Sequence, residues 1–199
     1  MATATQAEKA RLRLRLRAAR SALPATTRAA WSAGIIRRLA ALPELAGGQA
    51  VLAYAAAPSE VDLDGWMRAH LGQGGRLYLP RVRGDDLEVL EVRDLDHGLR
   101  PGWRGVREPR AGGGVPPLDP GVVEAAIVPG VAFDRFGGRL GQGGGHMDRL
   151  LARLPHEATV IGVAFSVQFL GTGAGVVPME EHDVRVDVVV TEQQVLRPC

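Results

Sequence analysis

Residues 128–151, VPGVAFDRFGGRLGQGGGHMDRLL, concentrate the groups best able to do chemistry. An apolar segment ends at Pro129, a glycine-rich loop follows, and a helical pattern begins near His146. Such a junction gathers backbone N–H groups and a helix start at one point, which is how proteins cradle phosphate. Arg135 and Arg139 add positive charge to it. No Gly-Lys-Ser/Thr follows, and GxGxxG is not matched either, so the loop is neither a Walker loop nor a dinucleotide fingerprint. A glycine-rich surface loop is the competing reading. Asp148, in the first turn of the following helix, either complements the helix dipole or, beside a phosphate, ligates Mg²⁺.

The segment VVPMEEHDVRVDVVVTE (176–192) supplies further acids. Asp187 sits at the entry of an apolar strand, where an unpaired carboxylate is costly. His182 and Asp183 before it read as a turn pair or a substrate contact. His146, His156 and His182 lack metal-ligand spacing and there is no cysteine cluster, which argues against zinc. Nothing resembles a Ser-His-Asp or Cys-His nucleophilic arrangement.

Charge is unevenly spread. Nine of the 24 basic side chains lie in residues 1–38, against the single acid Glu8, while the rest of the chain is net acidic. That basic arm is either a solvated helix face or a sign of an anionic partner. Arginine is used almost everywhere and lysine once, at Lys9. The one retained lysine marks either a place where a compact ammonium matters or a chance survivor of that bias.

These groups must be positioned by an α/β framework. Residues 6–22 hold good helix formers without Gly or Pro. Their RLRLRLR run alternates like a strand, yet Leu12, Leu16 and Ala19 form a stripe at helical spacing, which predicts a helix with Lys9 exposed on it. Thr26 or Thr27 would cap a second helix with Trp31, Ile35 and Leu39 on one face. Segments 50–55, 76–82, 87–92, 122–128, 159–165 and 186–191 read as strands, 61–71 and 147–154 as helices, and 98–120 as a long irregular loop. Near-continuous apolar strands alternating with helices predict one α/β domain over 1–199, with a mainly parallel, covered sheet. With 46% hydrophobic and 23% charged residues, disorder and fibrous structure are excluded. The N-terminus lacks a signal-peptide apolar core and no stretch could span a bilayer, so a soluble cytoplasmic protein is expected. Cys199 has no partner for an internal disulfide.

Taken together, the chain resembles the 5-formyltetrahydrofolate cyclo-ligase (5,10-methenyltetrahydrofolate synthetase) family. The likeness begins at Lys9-x-x-x-Arg13 and runs through YAAAPSEVDL (54–63), YLPRV (78–82) and GVREP (105–109). It is densest at 129–151, GVAFSVQ (162–168) and 176–192. The resemblance implies a mainly parallel α/β domain and ATP- and Mg²⁺-dependent conversion of 5-formyltetrahydrofolate to 5,10-methenyltetrahydrofolate. Lys9, Arg13 and Arg139 would then act on the ATP phosphates, with Leu140, Gly141, Gln142, Gly143, Gly144, Gly145, His146 and Met147 completing the nucleotide loop. Glu60 would hydrogen-bond the pterin, with Gln142 to His146 also contacting folate. Asp148 and Asp187 would hold Mg²⁺. The implied partners are small molecules, without nucleic acid or membrane, acting on a monomer or weak homodimer.

One departure is specific to this chain. The family's loop usually ends Gly-Tyr-Tyr-Asp, whereas here it reads Gly145-His146-Met147-Asp148. His146 still offers a ring and a hydrogen bond, and Met147 an apolar contact. The change bears on substrate geometry more than on nucleotide binding. Three alternatives stand beside this reading: an ATP-dependent ligase or kinase with another substrate, a non-catalytic nucleotide- or folate-binding relative, and, from the basic first helix, a nucleic-acid-binding module. The last is disfavoured by 5% aromatic content, which supplies few stacking platforms.

Overall fold

The computed structural model describes residues 3–102, 105–110 and 119–198. Cys199 and much of the anticipated 98–120 loop lie outside the described residues. In chain order the elements are α1 (Ala4–Ser21), α2 (Ala25–Leu39), β1 (Ala50–Leu52), α3 (Asp64–Gly72), β2 (Arg76–Arg83), β3 (Asp86–Val92), β4 (Leu99–Pro101) and β5 (Arg107–Pro109). They continue as β6 (Ala125–Pro129), β7 (Ala132–Asp134), β8 (Arg139–Leu140), α4 (His146–Leu151), β9 (Thr159–Val163), β10 (Phe169–Leu170), β11 (Val188–Val190) and β12 (Val195–Leu196).

The main sheet runs β12-β11-β9-β6-β1-β2-β3. Its five inner strands are parallel, and only β12 and β3 pair antiparallel at the edges. The mainly parallel α/β class expected from the strands is what forms. Side chains alternate across each strand, so Ala125 and Ile127 join α2 and α3 in one buried cluster, whereas Ala126 and Val128 join α4 in another. With both faces covered, alternation in the sequence disappears and the strands read as continuous apolar runs. Among the described residues no helix is long and apolar enough to cross a membrane.

Three differences from the sequence reading have local causes. Neither Thr26 nor Thr27 caps α2, which begins at Ala25 after Pro24 with no side-chain cap; proline's fixed φ leads directly into the helix. The described part of the 98–120 segment contains an antiparallel hairpin, Leu99 opposite Pro109. A small sheet, β10-β7-β8, was not anticipated because its strands are two or three residues long. This sheet is seated by Phe133, fully buried between Gly130 and Gly162. A Cβ at Gly162 would fall 2.3 Å from the Phe133 ring, so only glycine permits the approach.

Candidate active site

The site is built on α1. Thr3 and Gln6 form a reciprocal capping box at its start, each side chain accepting the other's backbone N–H at 3.2 Å. Leu16, buried, and Leu12, partly buried, dock on the small sheet beside Val131, Ala132 and Leu140, while Leu14 points to solvent. Burying Leu16 contributes about 2 kcal/mol to that docking. The RLRLRLR run is therefore a helix whose leucines are sorted by the 3.6-residue period rather than by alternation.

Docking turns a second face inward. Lys9, anticipated on an exposed surface, is only 5% exposed. Its ammonium donates to Glu180 Oε2 at 2.6 Å and Asp183 Oδ2 at 2.5 Å, both far along the chain. One and two turns on, Arg13 Nε donates to the Gly141 carbonyl at 2.9 Å and Arg17 Nη2 to the Gln142 carbonyl at 2.8 Å. The helix thus holds the glycine-rich loop by its carbonyls, which turns that loop's N–H side elsewhere. At the loop's end Gly145 adopts φ +66°, the left-handed geometry that glycine accepts without strain, and α4 starts directly after it.

Arg139 and Asp148 form the most buried ion pair here, Nη2 to Oδ1 at 2.6 Å, with the arginine side chain 1% exposed. Asp148 also accepts the Val184 N–H at 3.3 Å, tying α4 to the 180–184 turn. Arg139 Nε is buried without a hydrogen-bond partner among the described residues.

Three cavities meet around these groups. The first, about 570 Å³, is lined by Lys9, Arg13, Arg139 and Arg149 together with Asp148, Glu180 and Asp183, the acids being paired with Arg139 and Lys9; Leu140, Gly141, Gly143, Gly144 and Gly145 also line it. The second, about 200 Å³, contains Glu60, Gln142, His146 and Met147. The third, about 180 Å³, continues it past Tyr54 and Val82 and again includes Glu60 and Met147. Arg139, Gly141, Gly144, Gly145 and Asp148 line both the first and the second cavity.

Most of the site residues implied by the resemblance are gathered here, with four exceptions. Gln142, His146 and Met147 face the second cavity rather than the first, so the nucleotide role that the resemblance implies for them finds no matching contact. Asp187 is not brought to Asp148: it is exposed, lines none of these cavities, and its carboxylate accepts the Val160 N–H at 2.7 Å beside the start of β9. The acids that do reach the first cavity are Glu180 and Asp183, which with His182 bring ligand atoms within 4.8 Å of one another. Asp183 was legible only as a turn or substrate residue, and Glu180 carried no signal of its own.

The Lys9 cluster sets a charge pattern. Burial by itself raises the Asp183 carboxyl, but the Lys9 ammonium and the Glu180 N–H outweigh it and hold the group below the usual aspartate range. Burial likewise lowers the Lys9 ammonium, and Asp183 and Glu180 outweigh it in the other direction. Stability from a depressed carboxylate is complete above its unfolded pKa of about 3.9 and fades as pH falls through the folded value; that from a raised ammonium is complete below about 10.4 and fades above it. Urea unfolding of wild type and Asp183→Asn will therefore show a gap that is constant from about pH 5 to 9 and closes below about pH 4. A gap that ignores pH across the acid range would remove the ion pair as its source.

Comparison with known proteins gives a consistent neighbourhood. Residues 5–192 match the model of the 5-formyltetrahydrofolate cyclo-ligase family. A 5-formyltetrahydrofolate cyclo-ligase of Mycolicibacterium smegmatis is 33% identical over 157 residues, 74% of this chain and 75% of that protein. A probable 5-formyltetrahydrofolate cyclo-ligase of Schizosaccharomyces pombe is 27% identical over 177 residues, covering 83% and 86% of the two chains. Among solved structures, the Aquifex aeolicus 5,10-methenyltetrahydrofolate synthetase superposes with a TM-score of 0.81 at 35% identity, covering 95% of this chain and 92% of that one. The Mycoplasma pneumoniae 5,10-methenyltetrahydrofolate synthetase, 22% identical, shares the fold with a TM-score of 0.72.

Proposed function

This chain belongs to the 5-formyltetrahydrofolate cyclo-ligase family, and we propose that it closes the 5,10-methenyl bridge of folate at the expense of ATP, with Mg²⁺. The observation that carries this reading is the shared wall. A strongly charged cavity and a largely apolar one share Arg139, Asp148 and glycines of the loop as a common wall. A phosphoryl group passing from a nucleotide in the first to an acceptor in the second would cross at Arg139.

The donor set fits a nucleotide triphosphate. Lys9, Arg13, Arg139 and Arg149 offer charge to phosphate oxygens, and the glycines of the loop that line the same cavity leave room for them. Asp148, Asp183 and Glu180 are the carboxylates that would hold Mg²⁺, replacing Asp187 in that role; the ion supplies neutralisation of phosphate charge. The 5-formyl oxygen attacks the γ-phosphate and ADP departs; N10 then attacks the activated carbon, and phosphate departs as the N10 proton passes to phosphate or solvent. Lys9, Arg13 and Arg139 steady the charge on the transferring group, and the closely fitted loop keeps it in line. Glu60, its Oε2 held by the Ala57 N–H at 3.1 Å, turns Oε1 toward the second cavity as an acceptor for pterin N–H groups. Met147, lining both smaller cavities, supplies an apolar, adaptable surface beside the ring. Because α1, the glycine loop and the 180–184 turn all contribute to one cavity, we take residues 1–199 to work as one unit.

The direct test mixes the protein with 5-formyltetrahydrofolate, ATP and Mg²⁺ and follows the methenyl absorbance. The expected product appears only when all three are present. Nucleotide binding without product, across several reduced folates, would transfer the site to another acceptor.

A further inference from the structure

Four cations on α1 share one face. Lys9, Arg13, Arg17 and Arg20 follow one another at i, i+4, i+8 and i+11, within a single stripe of the helix. The first three meet the first cavity or its loop, as described above. The last does something different. Arg20 is 6% exposed, belongs to none of the three cavity walls, and places Nη1 3.4 Å from Glu60 Oε1. Its Nε is buried without a partner. A buried guanidinium with one long contact and an unmet donor is a poor source of stability, so its place beside Glu60 asks for another reason.

The same Glu60 oxygen accepts from Gln142 Nε2 at 3.3 Å. Gln142 in turn belongs to the loop whose carbonyls Arg13 and Arg17 hold. Both contacts to Oε1 are long, which leaves that oxygen room for a shorter, stronger donor. Oε1 is thus a junction between α1, the glycine loop and the second cavity.

We propose that Arg20 is a positioning residue for the folate side of the site, and that Glu60 Oε1, shared by Arg20 and Gln142, couples occupancy of the two cavities. This rests on the activity proposed above. Arg20 holds the carboxylate in place beside the second cavity. A nucleotide that orders the loop holds the Gln142 amide over the same oxygen, so Glu60 is already oriented when folate arrives. Linkage makes the effect reciprocal: folate tightens nucleotide by the same factor.

Calorimetric titration of the full chain tests this, with adenylyl imidodiphosphate and Mg²⁺ as one probe and 5-formyltetrahydrofolate as the other, each alone and with the other saturating. In the wild type, folate should tighten the nucleotide analogue about tenfold. Arg20→Met should weaken folate about 10- to 100-fold, leave the analogue alone within twofold, and bring the coupling ratio to near one. Arg20→Lys should recover part of the folate affinity. Should Arg20→Met fail to fold by circular dichroism, Gln142→Ala on the exposed loop decides the matter: the coupling ratio must fall. Folate affinity unchanged in Arg20→Met, equal weakening of both ligands, or a wild-type ratio of one would each overturn the inference. Wild-type protein that binds no folate would instead overturn the proposed activity, and this inference with it.

Discussion

Replacing Lys9 with methionine will slow turnover at saturating ATP by about 10²- to 10³-fold and will also lower the melting temperature. Both effects follow from where the ammonium sits. It is buried between Glu180 and Asp183, whose side chains are 26% and 11% exposed. Removing one member of a fully buried ion pair costs about 3–5 kcal/mol; partial exposure here reduces that to about 1–3 kcal/mol. In a chain of this size the loss corresponds to a fall of about 5 °C. The catalytic loss is separate, because the same cavity holds the groups proposed to meet phosphate. Differential scanning calorimetry and steady-state rates at saturating ATP give the two readings independently. A rate within twofold of wild type, alongside the thermal shift, would make Lys9 a structural residue only.

Arg139→Met is expected to have the larger combined effect. Its side chain is 1% exposed and pairs Asp148 at 2.6 Å, so the substitution orphans a buried carboxylate at a cost of about 3–5 kcal/mol. The melting temperature should fall by about 10 °C, and activity by about 10³-fold or more. The double variant Arg139→Met with Asp148→Asn separates the causes. Without the orphaned charge, most of the stability should return while activity does not. Activity that recovered in step with stability would show that the pair only holds α4 against the 180–184 turn.

The departure at His146-Met147 takes on a physical meaning once the cavities are known. Both side chains face the second cavity rather than the first. His146 Nδ1 lies 3.2 Å from Arg149 Nη2, which also reaches the Asp85 carbonyl on the β2–β3 turn. The substitution therefore alters the second cavity and leaves the glycines, Arg139 and Asp148 in place.

Much of this was legible locally. The parallel sheet could be read from apolar runs because both of its faces are covered, and the glycine-rich junction because backbone N–H groups need no side chains to advertise them. Helix α1 was legible despite its alternation, since Leu12 and Leu16 repeat at helical spacing. Lys9 stood out by type alone. What could not be read was direction. An amphipathic helix with leucines on one stripe and cations around the rest does not say which cations turn inward. That follows from the angle at which Leu16 seats on the small sheet, itself assembled from strands too short to carry a pattern.

The acids show the same division. Asp183 and Asp187 lie four residues apart in one acidic segment, and nothing in their spacing says which reaches the cavity. The turn before β11 decides it. Asp183 is folded back onto Lys9, and Asp187 is carried to the Val160 N–H beside the start of β9. Sequence by itself determined the longer helices, the main apolar strands, the glycine-rich loop and the kinds of group available, because these depend on neighbours within a turn or two. Only the tertiary structure decided which groups meet, because the partners of Lys9 lie 171 and 174 residues away, and a contact at that separation exists only once the whole sheet has placed its two ends together.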